Sequence, residues 1–186
     1  LDSVSYFEHL GSAAQSVYKE LREGFNKKVV RIRQTETWFD KMLEEEGVSE
    51  KEIQKWNAKN AQKYEFQIGN QKLVFNTAQL MELYALSKRK QAMSHLKGGV
   101  IADKREGELN HQKEPVHISE QMIETMCKNL TDKQKRVAER MQEYLSTECS
   151  QWMNNVTKEA YGYSKAKEDH YWPIKTSGKS RAVNDK

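Results

Sequence analysis

A narrow apolar stripe in the C-terminal half constrains the fold of this chain more than any other feature. Over about seven helical turns, apolar residues recur at three- and four-residue steps: Val137, Met141, Leu145, Cys149, Trp152, Val156 and Ala160. Thr131 and Gln134 have the spacing of a capping box at the start of the stripe, and Gly162 is placed to end it. The pattern predicts one long amphipathic helix, with a dimeric coiled coil as an open alternative.

A second stripe occupies the N-terminal third, between the candidate N-cap Ser3 and Gly47. Its apolar residues follow the same steps: Phe7, Ala14, Tyr18, Leu21, Phe25, Ile32, Phe39 and Met42. This spacing predicts one long helix, or two nearly continuous ones, whose stripe faces a partner helix.

Basic residues interleave with this second stripe at Lys27, Lys28, Arg31 and Arg33. A solvated helix face is the simpler interpretation of the four. The alternative is a strip that follows the phosphates of a nucleic acid, since basic side chains at adjacent and four-residue spacing can track such a backbone.

The chain changes its period between residues 63 and 75, in KYEFQIGNQKLVF. Apolar and polar residues alternate there on both sides of a Gly69-Asn70 turn, which predicts a β-hairpin. Because an isolated hairpin is marginally stable in water, its apolar face should lie on helices. Ser49 and Glu52, upstream, have capping-box spacing and predict a short helix.

The block NTAQLMELYALSKRKQAMSHLKGG, residues 76–99, joins a capped apolar helix to a basic cluster. Asn76 or Thr77 is placed to cap this helix, and its apolar content predicts the most buried helix of the fold. The basic residues that follow are Lys88, Arg89, Lys90 and Lys97. They either complement the negative end of the helix dipole or bind a phosphate or an acidic partner.

Composition completes the prediction of fold class. Charged residues make up 31% of the chain, and the formal net charge of +4 permits a nucleic-acid partner without requiring one. The predicted fold is mainly α, an elongated bundle of long amphipathic helices with one small β-hairpin. We expect one helical domain over residues 1–175, alternatively divided at a loop over 103–115, and a disordered polar tail over 176–186.

Several classes of function lack a signature in the sequence. It shows no activated nucleophile, metal-ligand spacing or phosphate-binding loop, so we predict no catalysis, no metal and no cofactor.

No apolar run reaches the ~20 residues that span a bilayer, so no membrane association is expected. Cys127 and Cys149 are expected to be reduced, as in the cytoplasm. A start at Leu1 without Met suggests a piece of a longer polypeptide.

Three segments in order carry a resemblance to known proteins: TAQLMELYALSKRKQAMSHLKGG, TDKQKRVAERMQEYLSTECSQWMNNVTKEAYGY and DHYWPI. Together they span Thr77 to Ile174, just over half of the chain, and resemble a helical region of large polyvalent proteins of bacteriophages and conjugative elements. The resemblance implies an accessory domain of undefined activity among methylase, helicase and other enzymatic domains, in a bacterial or phage-infected cell. It assigns no functional residues.

Two hypotheses for function follow. The first is a non-catalytic helical interaction or spacer module within a much larger phage or mobile-element protein; its partner would be a neighbouring domain, another protein or a second copy. The alternative is an accessory module that binds DNA or RNA through its basic helix faces. The candidate binding residues for a nucleic acid or other partner are Lys27, Lys28, Arg31, Arg33, Lys88, Arg89, Lys90 and Lys97.

Overall fold

The computed structural model describes residues 11–97, 116–166 and 170–173 of the chain. Helices dominate these ranges, and the strands in them form a single antiparallel pair. The prediction of a mainly α protein with one small β-hairpin is therefore confirmed.

The chain divides into two compact units, Leu1–Gly47 and Val48–Lys186. Each is described by itself below. One helical domain over 1–175 stays a prediction, because two compact units can belong to one domain or to two. The predicted loop at 103–115 and the predicted tail at 176–186 lie outside the described residues.

The first unit contains helix α1, Gly11–Glu45, which has 35 residues and a length of about 52 Å. It ends where the sequence predicts, because Gly47 adopts a left-handed φ of 62° and donates its N–H to the carbonyl of Glu44 at 3.0 Å. In the described part of this unit no other helix is present to cover the apolar stripe.

The second unit contains the remaining elements. In chain order they are α2 (Glu50–Asn57), β1 (Lys63–Ile68), β2 (Gln71–Asn76), α3 (Thr77–Ser87), α4 (Lys90–Lys97), α5 (Glu120–Cys127), α6 (Asp132–Tyr144), a π-helical turn (Leu145–Cys149) and α7 (Ser150–Tyr161).

The hairpin forms as predicted. Gly69 supplies the left-handed turn residue with a φ of 56°, and the register pairs Tyr64 with Phe75 and Phe66 with Leu73. Phe66 and Phe75 also meet across the pair, with ring centroids 6.1 Å apart. Leu73 and Phe75 are buried, so β2 contributes its apolar face to the core.

Side-chain caps begin α2, α3 and α6 at residues that the sequence predicts. Asn76 accepts from the backbone N–H of Gln79 at 2.8 Å, and the Gln79 side chain accepts from the Asn76 N–H at 2.8 Å. Thr131 and Gln134 form the same reciprocal capping box on α6. Since helix N–H groups in the first turn lack intrahelical partners, these bonds satisfy them and define where the helix starts.

Helix α3 lies at the centre of the second unit and packs against α5 and α6. Leu80 and Leu83 on this helix are buried, as are Ile123 on α5 and Val137 on α6. The prediction that the helix after Asn76 is the most buried is confirmed for the described residues, because α3 buries more of its side chains than any other helix there.

The long C-terminal helix differs from its prediction in one respect. It runs from Asp132 to Tyr161 and stops at Gly162, whose φ is 77°, but a π-helical turn interrupts it. The local sequence explains this turn, since hydroxyl groups compete for backbone carbonyls: Ser146 Oγ donates to Gln142 O at 2.8 Å and Ser150 Oγ donates to Leu145 O at 2.9 Å.

The predicted apolar stripe does not stay buried past this π-helical turn. Val137, before it, is buried, whereas Trp152 and Val156, after it, are exposed. A π turn changes the rotation of the residues that follow relative to those before it, so one straight stripe cannot remain on one face.

Candidate functional site

The four predicted binding residues of α1 do not all share one face. Lys27, Lys28 and Arg33 are exposed, and Arg31 donates from Nη1 to Gln34 Oε1 at 3.2 Å. Successive residues of an α-helix are rotated by about 100° around the helix axis. Lys27, Lys28 and Arg31 therefore lie within an arc of about 100°. Arg33 lies at least about 120° from Lys27 and Lys28 around the same axis. The helix therefore brings three of the four together.

Lys88, from the second predicted cluster, is engaged within the chain. It is the C-cap residue of α3, and its Nζ forms an ion pair and hydrogen bond with Glu139 Oε1 on α6. Tyr84, one turn earlier on α3, donates its hydroxyl to the same oxygen at 2.6 Å. The Lys88 ammonium also lies 4.6 Å from the centre of the Tyr84 ring. We call Tyr84, Lys88 and Glu139 the carboxylate cluster.

The electrostatics of the carboxylate cluster favour its charged ion pair. Hydrogen bonds from Lys88 and then Tyr84 lower the pKa of Glu139. Burial opposes the charge of Lys88, but its hydrogen bonds to Glu139 and Tyr84 outweigh this and raise its pKa. The pKa of Tyr84 is raised, first by burial and then by its hydrogen bond to Glu139. At neutral pH Glu139 is thus an anion held by two donors, an arrangement that ties α3 to α6.

The other members of the second cluster have different surroundings. The Arg89 guanidinium lies over the Tyr171 ring, 5.9 Å from its centre, and the Lys90 side chain is exposed. Lys97 Nζ is 3.3 Å from a carboxylate oxygen of Glu120 on α5. Two of the four basic residues, Lys88 and Lys97, thus have acidic partners in their own chain.

Residues 170–173 are held by a buried amide that the sequence interpretation did not single out. Gln142 is buried on α6, and its Nε2 donates to Ala85 O on α3 at 2.7 Å and to His170 O at 2.8 Å. The N–H of Tyr171 donates to Ser146 Oγ at 2.6 Å. One side chain therefore links α3, α6 and the segment at 170–173. The position of Gln142, four residues after Ala138 and three before Leu145, was the available signal, since it falls on an apolar face.

A second amide holds the chain just after Gly162. Asn154 on α7 accepts from the Ala166 N–H at 2.7 Å and donates from Nδ2 to the Ala166 carbonyl at 2.7 Å. The segment after α7 therefore turns back along the helix. Tyr171, beneath Arg89, is a further contact of the C-terminal segment with the helical body.

An apolar patch remains open on α7. Trp152, Met153 and Val156 are all exposed. These three residues, which we call the α7 patch, fall within an arc of about 100° on the helix. Exposed aromatic and aliphatic side chains grouped in this way are typical of protein contact surfaces.

Metal binding, thiol reactivity and membrane spanning each require particular features of the described residues. They contain no group of three His, Cys, Asp or Glu side chains that could hold a metal ion. Both cysteines are described and no disulfide joins them; Cys127 is buried, and burial raises the pKa of its thiol to about 11. Such a thiol is protonated at neutral pH and a poor nucleophile. Within the same ranges, no helix has the length and apolar character needed to cross a bilayer.

Comparison with known proteins returns no match: neither a family model, nor a curated protein, nor a solved structure corresponds to this chain.

Proposed function

We propose that this chain is a non-catalytic helical interaction module of a larger phage or mobile-element polypeptide. Its role is to contact neighbouring domains and hold them in position. The α7 patch is the observation that carries the proposal, because Trp152, Met153 and Val156 expose apolar surface on a helix that continues from α6 through the π-helical turn.

The arrangement of the second unit supports this role. The carboxylate cluster and the Gln142 bonds link α3 to α6, and α6 continues through the π-helical turn into the helix that carries the α7 patch. A preformed surface loses little conformational entropy on binding. The resemblance of Thr77–Ile174 to polyvalent proteins supplies the class of partner, which is a neighbouring domain of the same polypeptide.

The test is a titration of this chain with the domains that flank it in the longer polypeptide, followed by calorimetry. Met153→Asp with Val156→Asp should weaken binding at least about tenfold, since a charge at a buried apolar contact is poorly solvated. Gln151→Asp is the control for an added negative charge; it should leave binding unchanged, because Gln151 is exposed on another face of α7. Equal binding by the double variant and the wild type contradicts the proposal.

A nucleic-acid-binding module is the second candidate, and the arc shared by Lys27, Lys28 and Arg31 favours it. Contacts to phosphates would give binding that weakens steeply between about 50 and 200 mM salt. The measurement is fluorescence anisotropy of labelled DNA and RNA duplexes at both salt concentrations. The double variant Lys27→Gln with Lys28→Gln should abolish binding. The control is Lys19→Gln with Lys41→Gln, which removes the same amount of charge elsewhere on α1 and should retain binding. Absence of binding at the lower salt excludes this candidate.

A further inference from the structure

We propose that the outer edge of β1 binds an extended peptide segment of a partner protein, which adds a third strand to the hairpin. The main chain of the peptide pairs with Glu65 and Gln67, and its apolar side chains enter a groove between β1 and α5. We call this edge and this groove together the β1 edge groove. The inference goes beyond the proposed function, because it names a second contact surface, separate from the α7 patch, and another class of partner.

The hairpin turn determines which main-chain groups of β1 point away from β2. A two-residue loop separates Ile68 from Gln71, which are paired with each other. Residues that flank such a loop exchange hydrogen bonds, and hydrogen-bonded and non-hydrogen-bonded pairs alternate from there along an antiparallel ladder. Gln67 and Glu65 therefore belong to non-hydrogen-bonded pairs, so their N–H and C=O groups point outward.

These outward groups have no main-chain partner within the described part of the chain. The strands there form a single pair, and no main-chain hydrogen bond from outside the pair reaches Glu65 or Gln67. Donors and acceptors thus lie in a row along the edge, repeating every second residue. Another extended main chain matches this row, which is why the occupant is a peptide strand and not a helix or a nucleic acid.

β1 has few of the features by which proteins protect the edge of a sheet. Its register with β2 runs from Lys63 to Ile68 without a bulge, and the strand contains no proline. Glu65 lies on the exposed face of the strand, and its carboxylate is 2.6 Å from the ammonium of Lys72 on β2. Its charge is therefore balanced within the hairpin. An edge of this kind remains able to pair with an added strand.

The groove beside the edge specifies which side chains the peptide carries. It has a volume of about 410 Å³, and its apolar lining consists of Phe66 and Ile68 from β1 and Met122 and Met126 from α5. Met122 is 41% exposed, so part of its apolar surface is open to a partner. Side chains alternate between the two faces of a strand, so every second residue of the peptide shares the face of Phe66 and Ile68. The partner is thus a segment in which apolar and polar residues alternate.

The rest of the α5 lining indicates an uncharged peptide. Ser119, Gln121 and Thr125 line the groove and carry no charge. Methionine side chains are flexible, so Met122 and Met126 can adapt to different apolar residues. The site therefore selects for alternation and apolar character, and not for one particular sequence.

A second copy of this chain fits the groove less well than a peptide does. Its β1 would arrive with its own α5 alongside, because the two elements line the same groove. A helix with its side chains is about 10–12 Å across. The space of about 410 Å³ beside β1 suits a single strand and not a strand with a helix.

The main experiment follows the amides of the full chain by NMR during titration with an acetylated and amidated peptide of alternating threonine and valine. Hydrogen exchange at Glu65 and Gln67 should slow at least about tenfold at saturation, because their N–H groups gain acceptors. Exchange at Lys72, on the opposite edge of the hairpin, should be unchanged. Unchanged exchange at Glu65 and Gln67 up to millimolar peptide overturns the proposal.

N-methylation of the peptide separates main-chain pairing from apolar contact. Methyl groups on the threonine amides occupy one edge of the peptide strand, and methyl groups on the valine amides occupy the other edge. In an antiparallel addition, the threonines share the face of Glu65 and Gln67 and direct their main chain towards β1. Threonine methylation should therefore abolish binding, and valine methylation should leave the affinity unchanged. Equal affinities of the two methylated peptides overturn the proposal.

The groove is tested by a substitution on α5. Met122→Lys should weaken binding of the peptide at least about tenfold, since it places a charge against apolar side chains. Glu124→Lys is the matched control, because it adds the same side chain at an exposed position of α5 outside the groove. Circular dichroism checks that both variants stay folded. Equal binding by Met122→Lys and wild type contradicts the role of the groove.

Two further measurements distinguish this proposal from its neighbours. Met153→Asp with Val156→Asp should leave binding of the peptide unchanged, so failure of the β1 edge groove and failure of the α7 patch give different results. Sedimentation equilibrium without peptide shows whether the chain dimerises. Dimerisation accompanied by slow exchange at Glu65 and Gln67 would assign the edge to a second copy and overturn the proposal.

Discussion

Helices α1 and α3 both carry several large apolar side chains, yet those in the middle of α1 and those of α3 reach opposite environments. Leu80 of α3 is fully buried, while Leu21 of α1 is 69% exposed. β2, α5 and α6 surround α3, and no other helix is described in the unit of α1. The difference teaches that a periodic apolar stripe specifies a need for a partner, whereas burial depends on which elements are present in three dimensions.

The largest expected effect tests this difference directly. Leu80→Ala should lower the free energy of unfolding by about 2–5 kcal/mol, because it leaves a cavity in a close-packed core. Leu21→Ala should change it by less than about 0.5 kcal/mol, because the Leu21 side chain is exposed. Chemical denaturation of both variants gives the comparison, and similar losses would contradict the contrast between α1 and α3.

The next largest effect concerns the hydrogen bonds of the buried Gln142 side chain in the second unit. Gln142→Leu should cost about 1–3 kcal/mol, because the carbonyls of Ala85 and His170 lose a buried donor. It should also speed hydrogen exchange at the Tyr171 amide by loosening the segment at 170–173. Gln151→Leu, on the exposed surface of α7, is the control. Unchanged exchange at Tyr171 would show that Gln142 does not hold this segment.

The smallest effect concerns the carboxylate cluster and depends on pH. Glu139→Gln should destabilise the chain by about 0.2–1 kcal/mol at pH 7, since the ion pair with Lys88 is partly exposed. The pKa of Glu139 is lower in the folded chain than its ordinary value of 4.5, so the ionised side chain contributes stability above that value. This contribution is lost as the pH falls through the folded pKa.

Thermal unfolding of wild type and Glu139→Gln between pH 7 and about pH 3 measures this dependence. The difference between the two melting temperatures should shrink towards zero as Glu139 becomes protonated. Glu143→Gln is the control, because Glu143 is exposed on the same helix. A difference that stays constant to the lowest pH would assign the effect to shape or packing and not to charge.

Local signals predicted much of this fold. The N-cap at Asn76, which was one of two candidates, the capping box of Thr131 with Gln134, the turn at Gly69 and the helix stop at Gly162 all form where the sequence places them. Each depends on atoms within a few residues of one another along the chain. Their energies are therefore nearly independent of the rest of the molecule, and sequence spacing is enough to recognise them.

The sequence by itself thus determined the fold class and most element boundaries, whereas its candidate binding residues stay a prediction. Only the tertiary structure decided that Lys88 and Tyr84 meet Glu139, more than 50 residues away, and that Gln142 holds His170. It also decided that Leu21, Phe25 and Ile32, in the middle of the α1 stripe, are exposed. The physical reason is that helix packing sets contacts between distant residues, and a periodic pattern contains no information on which surface will lie opposite it.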